Sequence, residues 1–109
     1  MLKDVVSTNL IKKGSAVIDP AENVNVDIID LSISLCNVWF LSVFLGAKVE
    51  HSWISAVKTG TAIVHTQHSI LGNKILYDLN VIELAGKMIL NISNNDTSAI
   101  NIKFNRFLN

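Results

Sequence analysis

The sequence is poor in cysteine, proline and net charge. It has one cysteine, Cys36, one proline, Pro20, and a formal net charge of zero from nine basic and nine acidic residues. A single cysteine excludes an internal disulfide framework and a zinc site built from cysteines. Without a basic stripe, the chain lacks what proteins use to neutralise phosphates, so we expect no nucleic-acid partner. In its apolar setting, Cys36 is interpreted as a small buried side chain.

Long hydrophobic runs are also missing. The most apolar segment, residues 38–45, is far shorter than the roughly 20 residues that a helix needs to cross a bilayer. Residues 1–6 lack the apolar run of a signal peptide. We therefore expect no membrane partner, and synthesis in a cytoplasm.

Apolar residues, by contrast, are abundant. Half of the residues are hydrophobic and only 17% are charged, over a length that fits one two-layer domain and not two. We predict a single domain over residues 1–109. Residues 1–20 have a looser pattern and are interpreted as an extended N-terminal arm that docks on a neighbour, or as a first strand. A small domain of this composition exposes apolar surface that a partner usually covers.

The pattern of residues 86–107 is the clearest in the chain. Apolar residues alternate with polar ones on both sides of an Asn-Asp turn, and those on one parity are Met88, Leu90, Ile92, Ile100, Ile102 and Phe104. A period of two predicts half-buried strands. Because Asn and Asp favour reversals, residues 94–98 predict a turn, and we expect the two strands to pair as an antiparallel hairpin.

Turn signals recur roughly every ten residues along the rest of the chain, a spacing that predicts an all-β fold, an antiparallel β-sandwich or jelly roll of about eight strands. Within the second strand the apolar parity slips at Ile28 and Ile29, so we predict a bulge or a break near Ile29.

The segment 38–45 is apolar on both parities. A strand in a two-layer sandwich has only one core to face, so its second face must be covered by a loop, by the N-terminal arm or by another subunit. We predict that another subunit covers it. The residues expected at this interface are Trp39, Leu41, Val43 and, from the following strand, Trp53.

No arrangement of polar residues predicts catalysis. His65 and His68 project to opposite sides of a strand and cannot share a metal ion, and His51 lies on another strand. Asp27, Asp30 and Asp78 do not fit a calcium loop. No serine stands in a nucleophile elbow, and the glycines are too dispersed to cradle a phosphate. We predict a protein that is not an enzyme, with no catalytic residue, cofactor or metal.

Two segments resemble a known group of proteins. Residues 86–106 contain Gly-Lys, an alternating strand, an Asn-Asn turn, Ser-Ala and a final alternating strand with a basic residue. Residues 38–52 contain an apolar strand, a short loop and a strand that begins near Glu50-His51-Ser52. This order is similar to that of small β-sandwich structural proteins of tailed bacteriophage particles. The resemblance covers residues 24–107 and implies a head fibre, a capsid decoration or a tail-tip module, usually homo-oligomeric.

We therefore predict a virion structural protein that is made in the host cytoplasm and self-assembles through apolar β faces. Its expected partners are copies of itself and other virion proteins. The alternative is a carbohydrate-binding β-sandwich module, in which Trp53 or Trp39 stacks on a sugar beside an Asp or Asn.

Overall fold

A computed structural model describes residues 11–108, and these residues confirm the all-β prediction. They form eight strands: β1 (Ile11–Ile18), β2 (Asn23–Asp30), β3 (Cys36–Leu45), β4 (Lys48–Thr59), β5 (Ala62–Gly72), β6 (Tyr77–Leu84), β7 (Lys87–Asn94) and β8 (Ile100–Phe107). All pairings between them are antiparallel. Within residues 11–108 there is no helix that is long and apolar enough to cross a membrane.

The strands form two sheets with the core between them. The larger sheet has five strands in the order β1-β8-β3-β4-β5, and the smaller has three in the order β2-β7-β6. Alternate residues of each strand face inward, as the period of two requires. The fully buried hydrophobic side chains are Ile18, Trp39, Leu41, Val43, Ile54, Met88, Leu90, Ile92, Ile100 and Ile102.

The predicted hairpin of β7 and β8 is wrong. β7 pairs with β2 and β6 in the smaller sheet, whereas β8 pairs with β1 and β3 in the larger sheet. The Asn and Asp residues form a turn that crosses between the sheets: Asn94 Nδ2 donates to the carbonyls of Ile18 and Ser98, both at 2.9 Å, and the Asp96 N–H donates to Asn94 Oδ1 at 2.8 Å. Both strands still turn their apolar residues to one core, as their parity predicts.

The bulge in β2 lies a few residues before the predicted position. The register with β7 shifts between Asn25 and Asp27, which turns Asp27 and Ile29 toward the core. β2 ends at Asp30, and residues 31–35 then cross back to the larger sheet. Of the apolar residues in this crossing, Leu31 packs against the core, whereas Ile33 is 82% exposed and Leu35 52%.

The two faces of β3 are the reverse of the predicted ones. Trp39, Leu41 and Val43 lie fully buried between the sheets, so they cannot contact another subunit, and Phe40 and its parity face outward. The reason is that β3 is apolar on both parities, and its partners β4 and β8 orient it. Cys36 has the outward parity and is exposed, so the prediction that it is buried is also wrong.

β1 is an edge strand of the larger sheet and pairs with β8 along its whole length. The second half of the segment interpreted as an arm or a first strand is therefore a strand over residues 11–18. Residues 1–10 lie outside the described part of the chain. The arm and the single domain over residues 1–109 stay predictions.

Candidate functional site

Four rings meet on the outer face of the larger sheet, and we call them the outer aromatic cluster: Phe40 from β3, His51 and Trp53 from β4, and Phe107 from β8. The Phe40 ring lies 5.4 Å from His51, almost parallel to it, and 5.0 Å from Trp53 at a tilt of 54°. Trp53 stacks on Phe107 at 5.5 Å. These separations are those of favourable aromatic pairs. The cluster joins three adjacent strands into one half-buried apolar surface.

Sheet register brings the cluster together. Phe40 lies opposite Trp53 in the β3–β4 pairing, and Phe107 lies opposite Val38 in the β3–β8 pairing. Because residues of like parity in paired strands share a face, all four rings project away from the core. The Ser42 hydroxyl lies 2.8 Å from His51 Nδ1 and holds that ring in place.

The outer face of the larger sheet has no carboxylate in its described strands. Glu50 is the only acidic residue of these five strands, and it is buried on the core side. The face does carry two lysines, Lys13 and Lys103, and the Lys103 ammonium lies 5.8 Å from the centre of the Phe44 ring. Beside the cluster, β1, β8 and β3 form an open groove of about 450 Å³, lined among others by Lys13, Ser15, Phe40, Ser42, Lys103 and Asn105.

Of the four residues predicted at the interface, only Trp53 lies on this face, half-buried beside Phe40 and Phe107. Trp39, Leu41 and Val43 are core residues. The interface residues predicted from the sequence did not include Phe40, which lies on the other apolar parity of residues 38–45, nor His51 and Phe107. A signal for Phe107 was present, since it is an aromatic residue on the polar parity of the last strand, where Asn101, Lys103 and Asn105 precede it.

A polar cluster lies inside the sandwich, around Asp27. Its carboxylate accepts hydrogen bonds from Lys12 Nζ at 2.9 Å, Trp39 Nε1 at 2.9 Å and Arg106 Nε at 2.7 Å. Asp27 comes from the smaller sheet and the three donors from the larger one. A buried carboxylate needs such partners, so this cluster ties the two sheets together and has a structural role.

A second internal cluster joins β4, β5 and β6. The Tyr77 hydroxyl donates to Glu50 Oε1, and Gln67 Nε2 donates to Ser52 Oγ and Tyr77 Oη, both at 2.9 Å. Burial, reinforced by the hydrogen bond to Glu50, raises the pKa of the Tyr77 phenol well above its ordinary value. The phenol is therefore a persistent hydrogen-bond donor and has no role as a base.

The histidines are dispersed, as their spacing predicts. His65 lies opposite Ala56 on the core parity of β5, and His68 lies opposite Trp53 on the outer parity. Within residues 11–108 no group of three His, Cys, Asp or Glu side chains is placed to hold a metal ion. The geometry supports a contact surface on the larger sheet.

No protein-family model and no curated protein matches this sequence. Among solved structures, the fold is similar to part of the tailspike protein of Acinetobacter phage vB_ApiP_P1, with a TM-score of 0.56 and 12% identity over 86% of this chain and 20% of the tailspike. The tailspike protein of Acinetobacter baumannii phage AM24 gives a TM-score of 0.46 and 10% identity over 88% of this chain and 25% of that protein. The chain thus spans a fifth to a quarter of the tailspikes that it matches. The first likeness shows that it shares the fold of one part of a phage tailspike.

Proposed function

We propose that this protein is a structural module of a bacteriophage tail that self-assembles through the outer face of its larger sheet. Two findings support the proposal: the fold shared with part of the vB_ApiP_P1 tailspike, and the outer aromatic cluster. The cluster carries the argument for assembly, because a sandwich does not need four rings on the face that its second sheet leaves uncovered. The protein is then a component of the virion, made in the host cytoplasm.

The energetics favour an interface at this surface. Aromatic side chains are enriched at the centres of protein interfaces, and charged ones are depleted there. Fully burying one large apolar side chain contributes roughly 1.5–3 kcal/mol, so a few of them suffice to drive association of a small domain. The described strands bring no carboxylate to this face, and its two lysines, Lys13 and Lys103, are exposed, so two copies can meet over the aromatic cluster without burying a carboxylate and with the lysines at the rim.

Light scattering on the purified protein tests self-assembly. We expect a mass above the 12.0 kDa of one chain at micromolar concentration. Trp53→Ser should reduce it to the monomer mass and leave the β-sheet circular dichroism unchanged. The matched control is Ile82→Ser, which removes an apolar side chain, 42% exposed, from the smaller sheet and should leave the oligomer intact. A monomeric wild-type protein would contradict the proposal.

The assignment to a phage tail has a separate test. If the protein is a tail component, genes for tail or capsid proteins should lie next to its gene, and mass spectrometry should detect it in purified particles. Its absence from those particles would contradict a structural role in the virion, whatever its oligomeric state.

The groove beside the outer aromatic cluster favours carbohydrate binding as a second candidate function. Lys13, Lys103 and Asn105 place polar groups next to the Phe40 ring, an arrangement that suits a sugar, and Trp53 lies beside that ring. Trp39 takes no part, since it is buried. A glycan array and a titration of tryptophan fluorescence test this function, with Trp53→Phe as the control. Unchanged fluorescence and an array without hits would remove it.

A further inference from the structure

The outermost strand β5 lacks the features that keep sheet edges apart. Ala62–Gly72 contains no Asp, Glu, Lys, Arg or Pro over eleven residues. The other three edge strands carry charges: Lys12 and Lys13 in β1, Asp27 and Asp30 in β2, and Asp78 and Glu83 in β6. Natural proteins protect their edges with such charges, with proline or with bulges, because an open edge is a template for another strand.

The only irregularity of β5 lies near its end. Ser69 has a φ of 55°, and the register with β4 shifts between His51 and Trp53, opposite this point. The stretch 62–68 before it pairs with β4 without interruption. As an edge strand, β5 has N–H and C=O groups without a strand partner on one side. In the same stretch the apolar side chain of Val64 is 53% exposed.

We infer that β5 pairs with β5 of a second copy of this chain, antiparallel and around a two-fold axis perpendicular to the larger sheet. In such a contact residue i of one strand opposes residue j of the other and j opposes i, so a charged side chain near the axis lies close to its own copy. Among the edges that residues 11–108 form, β5 is the one without charge, so it can self-pair in any register without that repulsion. The other edges, which carry charges, disfavour the same contact.

The pairing would join two five-stranded sheets into one sheet of ten strands. Since the axis is perpendicular to the sheet, both outer aromatic clusters would lie on the same side and form one larger surface. The inference rests on the proposed self-assembly, because it adds an edge contact to the face contact described above.

Amide hydrogen exchange separates the two contacts. Packing through the outer face covers side chains and leaves the free-edge N–H groups of β5 open to water, whereas edge pairing protects them. We expect alternate amides of residues 62–68 to become protected as protein concentration rises through the association midpoint. If these amides exchange equally fast at low and high concentration, the inference is wrong, even if Trp53→Ser still dissociates the oligomer.

Two matched variants locate the contact. Val64→Lys places a charge on β5, and Val17→Lys places the same charge on β1, the opposite edge of the same sheet, where the valine is 64% exposed. We expect Val64→Lys to abolish the concentration-dependent protection of β5 and Val17→Lys to preserve it. Val64→Thr, which adds no charge, should also preserve it. Thr66→Lys repeats the test at a second exposed position, should Val64→Lys not fold. Equal protection in Val64→Lys and Val17→Lys would overturn the inference.

Discussion

The indole Nε1 of Trp39 in the larger sheet donates a 2.9 Å hydrogen bond to the carboxylate of Asp27 in the smaller sheet. The same carboxylate accepts hydrogen bonds from Arg106 Nε and from Lys12 Nζ, and the Asp27 side chain is completely buried. The core thus contains a buried polar cluster, in which Lys12, Trp39 and Arg106 donate hydrogen bonds to the Asp27 carboxylate. Because the three donors come from one sheet and the acceptor from the other, the cluster favours the packing in which these two faces meet.

Asp27→Ala should therefore destabilise the fold strongly. The change leaves Arg106, whose side chain is 9% exposed, buried without its partner, and breaking a buried pair in this way costs about 3–5 kcal/mol. Urea denaturation measures the change in the free energy of unfolding. Asp30→Ala is the control: its carboxylate is exposed, accepts hydrogen bonds within its own turn from the Ser32 N–H and hydroxyl at 2.9 and 2.8 Å, and lies 3.6 Å from Lys87, so the midpoint should fall much less than for Asp27→Ala. Equal shifts in the two variants would contradict the role given to the buried cluster.

Adjacent residues of β3 should respond in opposite ways to substitution. Trp39→Ser empties a fully buried site and removes the donor to Asp27, so we expect a loss of about 3–5 kcal/mol in the free energy of unfolding. Phe40→Ser should leave the fold intact and weaken self-association, because this ring lies on the outer face. Circular dichroism and light scattering measure the two effects. If Phe40→Ser also unfolds the protein without changing its oligomeric state, the outer face is not an interface.

A strand in this sandwich has one face in the core, but the sequence of β3 does not show which of its two faces that is. Where one parity is mostly polar, as in β8, alternation alone predicts the buried apolar side chains correctly. In β4 it does not, because the outward parity carries Trp53 and the buried parity carries Glu50 and Ser52. In β3 both parities are apolar, so hydrophobicity does not distinguish Trp39 from Phe40. What distinguishes them is the pairing of β3 with β4 and β8 and the hydrogen bond from Trp39 to Asp27, all of which depend on how distant strands meet.

Gly14→Ala should strain the larger sheet. A Cβ at this position would overlap the Phe104 ring, which lies over the glycine from the facing strand β8 and is itself 4% exposed. Forcing an extra carbon into a packed core costs roughly 1–3 kcal/mol. Thermal denaturation of Gly14→Ala, Phe104→Leu and the double variant tests this contact. The double variant should lose less stability than the sum of the two single changes, and simple additivity would argue against it.

Tyr77 should make stability fall at high pH. Because the pKa of its phenol is raised in the folded protein, the unfolded chain releases this proton first. The contribution of Tyr77 to stability is complete below the ordinary tyrosine pKa of about 10 and declines as pH rises above it. Tyr77 is the only tyrosine, so the ultraviolet absorbance of tyrosinate reports on this group alone. At about pH 11 the native protein should show little tyrosinate and the urea-unfolded chain much more.

Tyr77→Phe supplies the control for this titration. Its free energy of unfolding should decline less steeply than that of the wild type between about pH 9 and about pH 11. The slope is the informative quantity, since the variant also leaves Glu50 without the hydroxyl that donates to it. If Tyr77 titrates at the same pH in the native protein as in the unfolded chain, its hydroxyl is not protected by the fold.

The pairing of β7 and β8, like the core face of β3, was not accessible from local pattern. A hairpin and a crossing between sheets both turn Met88 and Ile100 toward one core, so parity is the same in either arrangement. The residues that distinguish them are distant in sequence: Asn94 donates to the carbonyl of Ile18, and β8 inserts between β1 and β3. The outer aromatic cluster depends on the same insertion, which explains why only Trp53 was predicted there.

The position of β8 also determines the order in which the strands of the larger sheet can pair during folding. Ile11 lies opposite Phe107 and Ile18 opposite Ile100, so nearly the whole described chain separates the two strands of this pair. Contacts of such high sequence separation form slowly, since a long loop must close before they are gained. During synthesis, β1 and β3 each have an unpaired edge until β8, which pairs with both, has been made. We therefore expect the chain to be more prone to aggregate before β8 is synthesised than after it.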